Sequence, residues 1–299
     1  MSIFELRYDD ISIADRLLAK VALRPGHVVI VATAAASVIG WSWLVLSVGV
    51  VAGTAPGSAT ATQNFWLPFS AVQVLPTGLR DVLVALCSPA TGSNAAATFA
   101  ASLGMWLVMS VAMMLPSAAP MLRTYADIAQ AAAQKNQPVR SVWTLAGGYL
   151  FVWSLFAVAA AGAQTALLTG GVVAAIDAPA TAAWGGAVLI FAGGYQFSSL
   201  KHACLEKCRN PFAVLFGRWS TKRAAVFRLG VEQGVFCVGC CWALMLVMFA
   251  VGTMNLAWMA LFALFTMAEK TGTGKVATYG VGVALTGWGG VLLTLAALA

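Results

Sequence analysis

Charged side chains are scarce in this chain, where 17 Lys and Arg and 10 Asp and Glu make up 9% of 299 residues, against about 25% in a soluble domain. With 61% hydrophobic residues, the scarcity excludes water as the solvent for most of the sequence. Histidine is nearly missing too, since only His27 and His202 are present. That supplies a haem poorly and removes the usual nitrogen donors from any metal site. The first twenty residues lack the purely basic head of a secretory signal, because Glu5, Asp9, Asp10 and Asp15 are mixed with Arg7, Arg16 and Lys20, and nothing in them reads as a cleaved leader. Exact internal repeats are absent, and no stretch alternates in polarity as a soluble core does. A phosphate-binding loop is excluded as well. Gly272, Thr273, Gly274 and Lys275 have its outward look, but Glu269 stands where the first glycine belongs and Val276 where Ser or Thr is needed.

What is present is a series of long apolar runs. A crossing helix needs roughly 20 apolar residues, because in lipid the backbone must satisfy its own hydrogen bonds. Seven segments qualify: 28–52, 100–119, 143–168, 182–200, 229–251, 255–269 and 276–297. The sixth is short, and Gly252, Thr253 and Met254 before it predict a tight hairpin. Glycines of the last segment, at 280, 282, 287, 289 and 290, predict close helix packing.

Lys and Arg orient such helices, with the basic loops inside. Alternating the loops places Arg7, Arg16, Lys20 and Arg24 inside, then Arg123, Lys135 and Arg140. The next inner loop holds Lys201, Lys207, Arg209, Arg218, Lys222, Arg223 and Arg228, and the last holds Lys270 and Lys275, leaving only Arg80 outside. The same bias accounts for the net charge of +7 without nucleic acid. The expectation is an all-α, polytopic transmembrane bundle of about seven helices in a bacterial inner membrane, with the amino end in and the carboxyl end out. It forms one domain over 1–299, with a short cytoplasmic start and an exterior loop at about 53–97 whose apolar stretch, Val82 to Cys87, lies at the interface.

Five of the six cysteines fall between Cys204 and Cys241. The orientation brings both ends of that interval to the cytoplasmic side. Cys204 and Cys208, four apart, share one helix face; so do Cys237 and Cys241, with Cys240 beside them, and Met245 and Met248 continue the second stripe into the bilayer. The second helix adds thioethers at Met105, Met109 and Met113, one every fourth residue, and ends on Met113 and Met114 before Pro116, at about the depth of the cysteines. Glu269 is expected at the same level. Thiolate and thioether are the soft donors that select Cu(I), although thiolates also hold zinc and iron–sulfur clusters. Copper as Cu(I) is therefore the expected ligand, with zinc or no metal as alternatives.

Each feature also has a plain reading. Cysteine and methionine fill apolar cores. Lys201, Lys207 and Arg209 favour thiolates at Cys204 and Cys208, or else anchor a helix at the headgroups. Glu232 pairs with Arg228 one turn earlier, and Glu269 is satisfied by Lys270 or solvent. His202 points roughly 160° from Cys204 on an ideal helix, which makes it a weak ligand.

Several stretches carry a family resemblance: Met113-Met114-Leu115-Pro116 with Pro120, Tyr195-Gln196, Leu200-Lys201, Cys204-Leu205, Cys208-Arg209 and Pro211. The most specific is the run Cys237-Val238-Gly239-Cys240-Cys241-Trp242-Ala243-Leu244-Met245, followed by Gly252, Met254-Asn255-Leu256, Trp258-Met259 and Glu269-Lys270. Over most of its length the chain resembles the bacterial family of predicted metal-binding integral membrane proteins, domain of unknown function 2182. The resemblance implies metal binding in the membrane and names no reaction. Three functions compete. One is a Cu(I)-handling protein that binds, delivers or transports the ion between lipid-embedded Met and Cys groups, working with a copper-dependent membrane enzyme or a metallochaperone. The second is a thiol–disulfide redox protein using Cys237 and Cys240, a spacing that fits although a cytoplasmic location disfavours stable disulfides. The third is a structural or assembly subunit of a larger membrane complex.

Overall fold

The computed structural model describes residues 25–54, 94–170, 178–251, 256–272 and 274–298. In chain order these form α1 (Pro25–Thr54), α2 (Ala95–Met109), a π-helical turn (Ser110–Met114), α3 (Leu115–Gln134) and α4 (Val142–Thr169). There follow α5 (Ala178–Tyr195), α6 (Ser199–Arg209), α7 (Pro211–Gly217), α8 (Arg223–Val251), α9 (Leu256–Thr271) and α10 (Val276–Leu298). Among the described residues there is no strand. The expected cytoplasmic start, most of the exterior loop with Arg80 and Cys87, the turn at Gly252, Thr253 and Met254, and Ala299 lie outside them.

Among the described residues five helices are long and apolar enough to cross a membrane: α1, the continuous rod from α2 through α3, α4, α8 and α10. The chain is a helical, multi-pass membrane protein. The expected spans at 182–200 and 255–269 fall on α5, of 18 residues, and α9, of 16, both shorter than the roughly 20 residues of a crossing. The first of them also ends early. Tight bonds from Gln196, Phe197 and Ser198 N–H to the carbonyls three residues back close the turn after Tyr195, and Ser198 Oγ then caps α6 by accepting from Lys201 N–H at 3.2 Å.

The second span, expected to stop near 119, instead continues to Gln134. Pro116 and Pro120 have no N–H to donate, yet the helix passes through them by widening into the π turn immediately before. In a regular helix, residue 116 would donate to Ala112 O; here Ser37 Oγ of α1 donates to it at 2.8 Å. Beyond the prolines α3 is amphipathic, burying Leu115, Ala118, Met121, Leu122, Tyr125 and Ala126 and leaving Arg123 paired with Asp127 at the surface.

Helices α4 and α8 pack along each other, as do α5 and α10. Backbone contact sets the first pair, since a Cβ on Gly148 would come 2.1 Å from Phe227 O and one on Gly230 would come 2.1 Å from Leu145 O. On α10 only part of the predicted glycine stripe is used. Gly282 and Gly289, seven apart and so on one face, meet α5 and the turn that follows it, whereas Gly280, Gly287 and Gly290 have open space beside them. These packings leave α6 lying on α8 and bring the end of α9 against α6 and α3.

Candidate functional site

The cysteines of α8 lie in the dry interior, with Cys237, Cys240 and Cys241 at most 2% exposed. Their thiols neighbour one another, yet two of them also turn back on their own helix. Cys240 and Cys241 each donate back to Cys237 O, at 3.1 and 2.9 Å, as a thiol does when its own helix offers the nearest acceptor. Cys241 Sγ nevertheless lies 4.0 Å from Met114 Sδ at the end of the π turn. Two sulfurs on one tetrahedral ion with bonds of about 2.3 Å lie roughly 3.8 Å apart, so the spacing fits a shared soft cation.

From the other side α6 contributes the remaining two thiols. Gly239 lets α6 approach, for a Cβ there would come 2.7 Å from Cys204 Sγ. Cys208 lies beside Cys240 and interacts with it. Burial, followed by Cys240, raises the pKa of Cys204, and the hydrogen bond to Cys240 followed by burial holds that of Cys208 well above the usual thiol range. All five described cysteines are free.

Cys237 has a different setting. Lys270 Nζ donates to its Sγ at 2.9 Å and to Ser117 Oγ at 2.7 Å. Tyr149 O–H lies 3.0 Å from the same sulfur and 3.0 Å from Met114 O, which also accepts from Ser117 Oγ at 2.7 Å. The carbonyl at the end of the π turn thus anchors α4 and α3 around one thiol. Sequence reasoning missed Tyr149, Ser117 and this role of Lys270; Ser117 follows Pro116 and Lys270 follows Glu269, while nothing in the sequence marks Tyr149.

Glu269 is engaged otherwise. Lys201 Nζ reaches Glu269 Oε2 and Cys240 O, both at 2.9 Å, while Thr278 Oγ1 donates to Glu269 Oε1 at 2.6 Å. Lys201 and Glu269 are 0% and 1% exposed, so Lys201 is no headgroup anchor. Glu232 pairs with Arg228 at 3.6 Å and also with Arg218. Met113 and Met109 are buried in the core on the rod, and Met245 is buried one turn beyond Cys241. His202 packs edge-on to Tyr279, its Nε2 buried with no hydrogen-bond partner among the described residues. Burial, then Lys275 and Lys201, hold its pKa below the usual imidazole range. Among the described residues no group of three or more His, Cys, Asp and Glu side chains is arranged to hold a metal ion. The donors that do approach each other are thiol and thioether.

The fold is that of a helical membrane protein, with buried cysteines on α8, one of them beside Met114. A family model described as PpoB2, copper chaperone, matches residues 103–292, from the rod that carries the π turn to α10, and the chain belongs to that family. The match makes the family a copper one and does not carry the designation as domain of unknown function 2182. No curated protein and no solved structure matches the chain.

Proposed function

We propose that this protein takes Cu(I) as its cargo near the cytoplasmic face of a bacterial inner membrane and passes it to a copper-dependent membrane enzyme or to another metallochaperone. In this reading the chain is one membrane domain of about seven crossings, with the amino end in, the carboxyl end out, a short cytoplasmic N-terminal segment and an exterior loop at about 53–97. The cargo is held by Cys241 with Met114 and by Cys237 and Cys240, with Cys204 and Cys208 as the exchange pair on α6 and Met113, Met109 and Met245 as further thioethers. Glu269 serves as the counter-charge of Lys201 rather than as a ligand. The observation that carries the reading is the Cys241–Met114 sulfur pair, both residues buried and their sulfurs 4.0 Å apart. Such a soft pair suits Cu(I) better than zinc, which favours harder or more numerous donors.

The experiment is metal content and X-ray absorption of protein from copper-grown cells. Wild type should carry copper in a sulfur shell, and Cys241→Ser, Cys237→Ser and Met114→Leu should each retain less. Equal copper in all variants would favour the structural-subunit reading, and a nitrogen and oxygen shell would remove the copper assignment. Reversible oxidation of Cys237 with Cys240 in membranes would favour the redox reading. Reporter fusions that place residue 299 in the cytoplasm would overturn the seven-crossing topology.

A further inference from the structure

Between α6, the end of α9 and the start of α10 lies a cavity of about 380 Å³, a size usual for small-molecule sites. Its charged lining is unbalanced: Arg209, Lys270 and Lys275 against Glu206. Arg209 is held by the backbone carbonyls of Glu269 and Gly274, at 2.8 and 2.9 Å, and neither is a counter-charge. The carboxylate of Glu269 is already taken by Lys201. Lys270 belongs to both places, since it lines the cavity while its ammonium lies 2.9 Å from Cys237 Sγ.

A bare copper ion approaching Cys237 by this side would meet three cations. A Cu(I) ion already bound by two thiolates is an anion, and carboxylates on the thiol make it more so; the same cations attract it. We propose that this cavity is the vestibule in which copper is received as an anionic Cu(I) complex of a small carboxylate-bearing thiol, with Lys270 positioning the complex beside Cys237. The inference rests on the copper reading above and adds the form in which the cargo arrives. Transfer is thiol exchange. A Cu–S bond to Cys237 forms as one to the carrier breaks, the Cys237 proton leaves on the departing carrier thiol, and copper remains Cu(I). A second exchange of the same kind, at Cys241, releases the other carrier molecule.

The test uses the full chain in lipid nanodiscs without oxygen. Copper is offered as its Cu(I) bis-thiolate complexes with mercaptosuccinate, 2-mercaptoethanol or cysteamine, which are a polyanion, a monoanion and a cation, and uptake is followed by the copper–thiolate absorption. At low salt, mercaptosuccinate should deliver at least about tenfold faster than cysteamine. Lys275→Glu, at an exposed position, should bring that ratio towards one, and so should added salt in the wild type. A ratio that neither the substitution nor salt alters would overturn the vestibule while leaving copper binding intact. No uptake from any carrier would overturn the copper reading itself, and the vestibule with it.

Discussion

Lys201 and Lys270 bring two ammonium groups into the same interior and meet opposite surroundings. Lys201 is sealed from solvent and faces a carboxylate, whose second oxygen is satisfied by Thr278. Lys270 faces a thiol and a hydroxyl, and its side chain borders a cavity. The first arrangement balances charge completely and joins α6, α8, α9 and α10 at one point, so it holds structure and offers no chemistry. The second leaves a cation with no carboxylate beside it, shared between the Ser117 hydroxyl at 2.7 Å and the Cys237 sulfur at 2.9 Å. A buried charge with its partner fixed is a clasp; a buried charge beside a thiol is part of a site.

That contrast can be broken most severely at Glu269. Glu269→Gln strands the Lys201 charge and should cost about 3–5 kcal/mol in chemical unfolding, whereas the double variant Lys201→Met with Glu269→Met should recover most of it. No recovery in the double variant would mean that the pair is not a clasp. Next in size is Lys270→Met, which removes charge-assisted bonds and should cost about 1.5–3 kcal/mol. It should also slow copper uptake from anionic carriers, and unchanged uptake with lowered stability would reduce Lys270 to the role of Lys201. Smallest is Tyr149→Phe, expected to lower stability by about 0.5–1.5 kcal/mol, because Met114 O retains its bond from Ser117. A loss as large as that of Glu269→Gln would show that the hydroxyl, rather than the ammonium, organises Cys237.

Much of the fold was legible because lipid leaves the backbone one economical solution, and apolar length announces it. The helices at 143–168, 229–251 and 276–297 are found within a few residues of α4, α8 and α10. The continuation past 119 to Gln134 was not legible, since Pro120 reads as a stop, and neither was the π turn and Ser37 that take up the change at Pro116. Of the glycines on α10, sequence could say that some pack closely, but only the partner helix selects Gly282 and Gly289. The cysteine pattern told which residues share a face. It could not tell that Cys240 and Cys241 turn back to Cys237 O, a rotamer choice settled by the nearest acceptor.

The sequence by itself determined that this is a membrane protein, that its sulfur sits on two neighbouring stretches and on the methionine rod, and that hard donors are few. Which charge meets which group was decided by the tertiary structure alone. Glu269 and Lys270 are consecutive, so on α9 their side chains diverge by roughly 100°. One therefore meets α6 and α10, where Lys201 and Thr278 lie, and the other meets α3 and α8, where Ser117 and Cys237 lie. Adjacent letters in the chain carry no trace of that division, because it depends on which helix packs against each side of α9.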